Sequence, residues 1–397
     1  MTNPSIQELQ AKLQAAAGPE ERVDLLNRLA IELRDTDPAK ALDVGEQARA
    51  LAEQHGLQKG LAYSLRTLGA VQLLLLRYQE ALGNSLASLK MLEEQNDKPA
   101  AIRAMNVIGN IYMRLGDYDK ASEYYFSVFR AAPELNDDLM EASSCNSLGN
   151  LYVNIGDNKS ALDYYTQGLE LFDRIGDVKF YDMTLLNVAG IFRAMKDLPR
   201  SLEYYQRALG LMEERGDKYN QAVAWNNLGF VHSDLNQHGE ARECWQQGLV
   251  LARQSNNAEM EINARINLAE LLIAEGDPAG AAEQLRAALP LAGSLNAKNS
   301  LIQIYRALAS VSRHQGDYKA ALEHCQKYHE MEKEQINAQK EEKVRGLQIS
   351  HEVEKAGKEA ELYRLQNVEL ARAYKELEDM AGSYDRLNQA NIELVEL

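Results

Sequence analysis

Three groups of side chains in this sequence have types and spacings that chemistry could use. Cys325 and His329 stand four apart, which places both on one face of a helix, where a thiolate and an imidazole could share a soft metal ion. His324 points away from that face and no third ligand is evident, so no metal site is expected. His232, Ser233 and Asp234 are the three types of a hydrolytic triad, but neighbours on one helix fan out and cannot converge. Paired carboxylates such as Glu213 and Glu214 read as a solvated helix face. No glycine-rich phosphate loop, dinucleotide fingerprint or HExxH pair occurs, so neither a cofactor nor catalysis by these residues is expected. The third group is a polar stripe: Arg103, Asn106, Asn110 and Arg114, then Ser143, Asn146, Asn150 and Asn154. Met183, Gly190 and Arg193 continue it, followed by Asn226, Phe230 and Asp234. Asparagine both donates and accepts, so a ladder of it can hydrogen-bond a peptide backbone without demanding one sequence. The alternative is that these asparagines bond neighbouring helices.

What positions such a stripe is a period of 40 residues. Asp37, Asp117, Asp157, Asp197, Asp277 and Asp317 share one ladder, with Arg77 and Gln237 on its remaining rungs. Four residues on, every rung is small: Ala41, Ala81, Ala121, Ala161, Ser201, Ala241, Ala281 and Ala321. A period held without insertion or deletion means stacked supersecondary units in which each unit touches only its neighbours. In residues 101–136, Ile102, Met105, Ile108 and Tyr112 mark a first helix, and Leu115-Gly116-Asp117 closes it and caps a second. That second helix keeps Ala121, Tyr125 and Val128 on its inner stripe. A second ladder of Gly56, Asn96, Asn136, Gly176, Gly216, Asn256 and Asn296 supplies the residues that tolerate a left-handed helix end. Asp97, Asp137, Asp177, Asp217 and Asn257 follow at once and can cap the next first helix.

Composition agrees. Hydrophobic residues make up 45% of the chain and prolines number only 8, which favours an all-helical fold with a continuous core. A net charge of −16 argues against a nucleic-acid or anionic-membrane surface, since both need clustered Lys and Arg. No apolar run approaches the about 18 residues needed to span a bilayer. The start Met1-Thr2-Asn3-Pro4 lacks a signal pattern, and the three separated cysteines, Cys145, Cys244 and Cys325, suit a reducing cytoplasm.

The repeated positions resemble the tetratricopeptide repeat. In the third unit the family's small residue, Tyr, Ala and aromatic match Gly109, Tyr112, Ala121 and Tyr125, and in the fourth Gly149, Tyr152, Ala161 and Tyr165. The sixth has Gly229, Ala241 and Trp245 but His232 where Tyr is expected. The first two and last two units lack most of the aromatics, which suggests specialised ends. The resemblance covers residues 22–341 as eight units, preceded by an N-terminal cap over 1–21. It implies an all-α, right-handed superhelical solenoid of about eight helix pairs. The family period is ~34 residues, so six more residues lengthen the helices by ~9 Å per unit. Units of this kind look like those of peptide-binding adaptors and bacterial regulatory sensors, in which the first helices line a concave groove. The stripe would then lie in that groove, and Arg103, Arg114 and Arg193 would select an acidic peptide.

Beyond the repeats, residues 342–397 read as a long C-terminal helix. Tyr363, Leu370, Leu377, Tyr384 and Asn391 fill one core position of a heptad, and Ala373, Met380, Leu387 and Leu394 the other. This predicts a homodimeric coiled coil; Val344 and Leu347 upstream imply a change of phase. The alternative is a long helix folded back on the solenoid. The segment from Glu359 to Ala371 also looks like the linker that joins tetratricopeptide sensors to diguanylate cyclase or histidine kinase domains, and the pattern stops unfinished at Leu397. The expectation is a non-enzymatic, cytoplasmic sensor region of a bacterial signalling protein that takes a peptide or protein in its groove and signals to a domain beyond these residues. The alternative is a stand-alone adaptor that needs only the groove.

Overall fold

The structure, a computed structural model, describes the backbone of residues 4–34 and 36–396 and the side chains of residues 5–34, 36–359 and 380. Among the described residues there are seventeen α-helices and no strand. A short α1 (Pro4–Ala15) covers the first end, with Ile6 buried against the core of α2 and α3. Eight helix pairs follow: α2 (Pro19–Leu33) with α3 (Pro38–Gln54), α4 (Gln58–Leu74) with α5 (Tyr78–Glu94), and α6 (Lys98–Leu115) with α7 (Tyr118–Glu134). The middle pairs are α8 (Asp138–Ile155) with α9 (Asn158–Ile175), and α10 (Val178–Ala194) with α11 (Leu198–Glu214). Then come α12 (Lys218–Asp234) with α13 (His238–Gln254), and α14 (Ala258–Ala274) with α15 (Pro278–Ser294). Finally α16 (Lys298–His314) pairs with the start of α17 (Tyr318–Glu396). Each helix packs on the next, and first helices of adjacent units also touch, so the chain stacks as a solenoid.

Local chemistry sets the helix boundaries. The carboxylates of Asp97, Asp117, Asp137, Asp157, Asp177, Asp197 and Asp217 each accept the backbone N–H three residues on. Every residue of the Gly/Asn ladder adopts positive φ, from 50° at Asn296 to 70° at Gly176. The small residues of the first helices are tightly packed. A Cβ on Gly109 would lie 2.6 Å from the Tyr125 ring, and one on Gly149 2.5 Å from that of Tyr165. Of the tyrosine pairs, Tyr125, Tyr165 and Tyr205 are buried, while Tyr124 and Tyr164 are half-buried and stack on Tyr112 and Tyr152.

The C-terminal helix departs from a free coil over its first stretch. Val344 and Leu347, assigned from sequence to a coil seam, are exposed. Gly346, Ile349, Ser350 and Val353 face inward, and α17 packs on α5 and α6 as well as on α16. Here the fold-back alternative applies. Of the expected dimer seam, Met380 is exposed, and Tyr363, Leu370, Leu377, Tyr384, Leu387, Asn391 and Leu394 lie outside the described side chains.

Candidate functional site

A cavity of about 700 Å³ opens between α4, α6 and α8. Asn106, Asn110 and Arg114 reach it from α6, and Asn150 and Asn154 from α8, so five of the fourteen stripe residues converge on one space. Spacing explains this: residues four apart on a helix share a face, and the 40-residue step repeats that face in the next unit. Leu73, Leu74 and Leu76 line it from α4 and the turn that follows, and Val107 and Met113 from α6. The site can therefore grip a chain that presents both polar backbone and apolar side chains.

Two of the asparagines are held in place. Tyr125 donates its hydroxyl to Asn110 Oδ1 at 2.7 Å, and Tyr165 does the same to Asn150 Oδ1 at 2.7 Å. Burial pushes both phenols well above their ordinary range, so they stay protonated donors and leave the asparagine NH₂ groups for other partners. Asn154 donates to the Asn150 backbone carbonyl. Asn106 Oδ1 is buried and has no hydrogen-bond partner among the described residues. An unmet acceptor of this kind costs free energy until a donor reaches it.

Charge sharpens the picture. The lining includes Arg34 and Arg114 and no carboxylate, within a chain of net charge −16. Among the described residues no carboxylate closes an ion pair on Arg114. Arg66, one 40-residue step above Asn106, lies 5.0 Å over the Tyr63 ring; burial and the nearby Arg103 lower its pKa.

Five more stripe residues are used within the solenoid. Arg103 pairs with Asp137 at 2.7 Å, and Arg193 pairs with Asp234 at 2.7 Å while lying 4.8 Å over the Phe230 ring. Phe230 in turn meets Trp245 edge-on. Asn226 is buried, accepting from Asn267 Nδ2 at 2.8 Å and, through its carbonyl, from Trp245 Nε1 at 3.1 Å. Asn146 Oδ1 has Asn187 Nδ2 at 3.5 Å. These bonds are inter-helix locks, the alternative the sequence left open for single residues. Sequence reading missed Arg34, Leu74 and Leu76 in the lining. The 40-residue ladder could have found the first two, since they are the rungs above Arg114. Leu76 departs from the pattern: it occupies a left-handed position, φ 59°, that is Gly at 116 and 156.

The remaining chemical candidates do not assemble. His232 Nδ1 pairs with Gln237, Asp234 with Arg193, and His329 lies nearest Glu332. Among the described residues no group of three metal-ligating side chains exists, and no helix is long and apolar enough to cross a membrane.

Known structures share the solenoid. A signal transduction ATPase with numerous domains, from Pyrococcus horikoshii and bearing a tetratricopeptide repeat sensor, is 17% identical, with a TM-score of 0.64 over 87% of this chain. The chain spans 55% of that protein's length. The apo quorum sensor NprR from B. thuringiensis is 16% identical, covering 82% of this chain and 91% of its own with a TM-score of 0.60. A Rap protein complexed with Competence and Sporulation Factor is 15% identical, covering 80% and 99%, with a TM-score of 0.50. At these identities the likeness shows the fold alone. No curated protein matches in sequence. The tetratricopeptide repeat family model matches residues 60–134, 100–174, 181–254 and 220–294, together more than half of the sequence. With its capped helix pairs, glycine-to-aromatic packing and stacked first helices, the chain belongs to the tetratricopeptide repeat family.

Proposed function

We propose that this chain is a peptide- or protein-binding sensor region whose ligand is an acidic, partly apolar peptide held in the cavity of repeats two to four. The observation behind it is the convergence of Asn106, Asn110, Arg114, Asn150 and Asn154 on one space lined by two arginines and no carboxylate. Asn106 and the tyrosine-held asparagines bond the peptide backbone, Arg114 takes a carboxylate, and Leu73, Leu74 and Leu76 receive an apolar side chain. Arg193, Asn226 and Phe230 are structural in this reading. A quorum sensor and a Rap protein bound to a signalling factor share the fold, which is consistent with a bacterial signalling context. The chain carries a net charge of −16, and neither nucleic acid nor membrane is proposed as a partner. Dimerisation through residues 363–394, transmission to a catalytic domain outside the chain and a cytoplasmic location belong to the same proposal.

The test is fluorescence polarisation with labelled ten-residue peptides, an acidic set bearing Leu or Phe and a matched Lys-for-Glu set. Binding of the acidic set only, weakened by Asn106→Ala and Arg114→Ala at unchanged helical content, is the expected result. Equal affinity of both variants and the parent chain would move the site away from this cavity. Light scattering at tens of micromolar checks the dimer, and a monomer would remove that part of the proposal.

A further inference from the structure

α17 does two things along its length. It starts as the second helix of repeat eight, packed on α16, and some 28 residues later, roughly 42 Å along the axis, it meets repeat three. Gly346 makes the approach possible. A Cβ there would lie 2.5 Å from the backbone oxygen of Leu115 and 3.1 Å from its carbonyl carbon, atoms that cannot move aside without disturbing the end of α6.

One turn further on, Ser350 is 2% exposed and bridges two residues of repeat three. It donates to Asp117 Oδ2 at 2.9 Å and accepts from Lys120 Nζ at 2.8 Å. Glu354 forms an ion pair with the same lysine, which also lies 5.1 Å over the Tyr112 ring. Ile349 and Val353 complete the stripe by packing against the core of repeats two to four. Positions 346, 349/350 and 353/354 follow helical spacing, so one face of α17 makes every contact.

The seat on repeat three is distinctive among the aspartate rungs. Asp157 spends its second oxygen on Ser160 and Asp197 on Arg200, both within their own first turn. At Asp117 the second oxygen has Lys120 at 3.4 Å in its own first turn and also receives Ser350, from 233 residues away in the sequence. The path from repeat three to repeat eight includes the step from α8 to α10, which is held by Asn187 Nδ2 to Asn146 Oδ1 at 3.5 Å and by Tyr181 against the core of Ala142, Cys145 and Phe172.

We propose that residues 342–354 are a clasp, seated in cis on repeat three, that ties repeat eight to it and fixes the curvature of the solenoid between them. The contact is short, one face of about two helical turns in which Ile349 and Val353 flank the Ser350 and Glu354 bonds, so it can open without unfolding the repeats. Its release frees the two halves to change curvature, and the same event frees the α17 arm. This holds whatever the groove binds.

The clasp is tested by pulsed electron spin resonance on the full chain with Cys325→Ser, spin-labelled at Glu123→Cys on α7 and Glu352→Cys on α17, both exposed, and diluted with unlabelled chain. One narrow distance population is expected, and Gly346→Leu should abolish it in favour of a broad, longer distribution. Leucine is a better helix former than glycine, so this variant keeps its helix; circular dichroism checks it. Lys120→Glu, which breaks the seat from the other side, should broaden the distribution as well. A narrow population that survives both variants would overturn the proposal. So would one that disappears on dilution with unlabelled chain, since the seat would then hold the arm of a second copy.

Discussion

Repeats three and four each hold a groove asparagine with a tyrosine hydroxyl, and repeat five lacks half of that device. Tyr205 is buried on α11 as Tyr125 and Tyr165 are on theirs, but the rung of Asn110 and Asn150 is Gly190 in repeat five. A Cβ built on Gly190 has one neighbour within 4 Å, the Tyr205 hydroxyl at 3.5 Å, so there is room for a side chain and a donor at its end. Gly190→Asn should therefore install the missing bond. Helix propensity alone gives Gly190→Ala about 0.9 kcal/mol of stability and Gly190→Asn about 0.3 kcal/mol. A hydrogen bond to a buried hydroxyl adds about 1 kcal/mol to asparagine only, so asparagine should exceed alanine by about 0.4 kcal/mol. In a Tyr205→Phe background the order should invert, with alanine ahead by about 0.6 kcal/mol. The assay is urea denaturation of the four variants followed by helical circular dichroism and tryptophan fluorescence, with coincidence of the two probes checking cooperativity. A coupling of about 1 kcal/mol between positions 190 and 205 is expected. No coupling would refute the idea that these tyrosines orient the groove asparagines.

Further outcomes follow from other contacts. Gly229→Ala places a Cβ 2.3 Å from Trp245 Nε1, and should cost about 2 kcal/mol in denaturation because a rigid indole cannot yield. Asp182 is fully shielded from solvent and pairs with Arg215 while its other oxygen has no partner. Removing the guanidinium by Arg215→Ala should cost about 3 kcal/mol at pH 7. Burial raises the Asp182 pKa above its ordinary 3.8 and Arg215 opposes that. A raised carboxylate loses stability as pH climbs through its folded pKa, so the deficit of Arg215→Ala should shrink as pH falls toward 4. Asp157 and Asp197, held below the ordinary range by Ser160 and Arg200, run the other way. Leu76→Gly should relieve a left-handed leucine, raising stability by about 1 kcal/mol while weakening acidic-peptide binding in polarisation assays.

The fold was legible because its signals are local and repeated. One aspartate that caps a helix is weak evidence, but Asp117, Asp157 and Asp197 at equal steps, each followed by a small rung, leave only a stacked helix-pair solution. The groove was legible in part. The stripe puts Asn106, Asn110, Arg114, Asn150 and Asn154 on one face and all five line the cavity, since periodicity reports which face a residue occupies. It does not report what a side chain finds there. Arg103 and Arg193 lie on the same stripe, yet Asp137 and Asp234 claim them, and that choice depends on distances between units. The inward turn of α17 was hidden for a related reason. Gly346 reads as a weak point in a helix until the Leu115 carbonyl is seen beside it.

Arg114→Ala compared with Arg193→Ala, each titrated with the acidic peptide set, tests the central claim most directly. Arg114 faces the cavity without a carboxylate, so its loss should weaken binding about 10- to 100-fold, the worth of a charge-assisted hydrogen bond. Arg193 is spent on Asp234, so its loss should leave affinity within about twofold. The opposite order, or no binding change in either variant, would contradict a peptide site in repeats two to four.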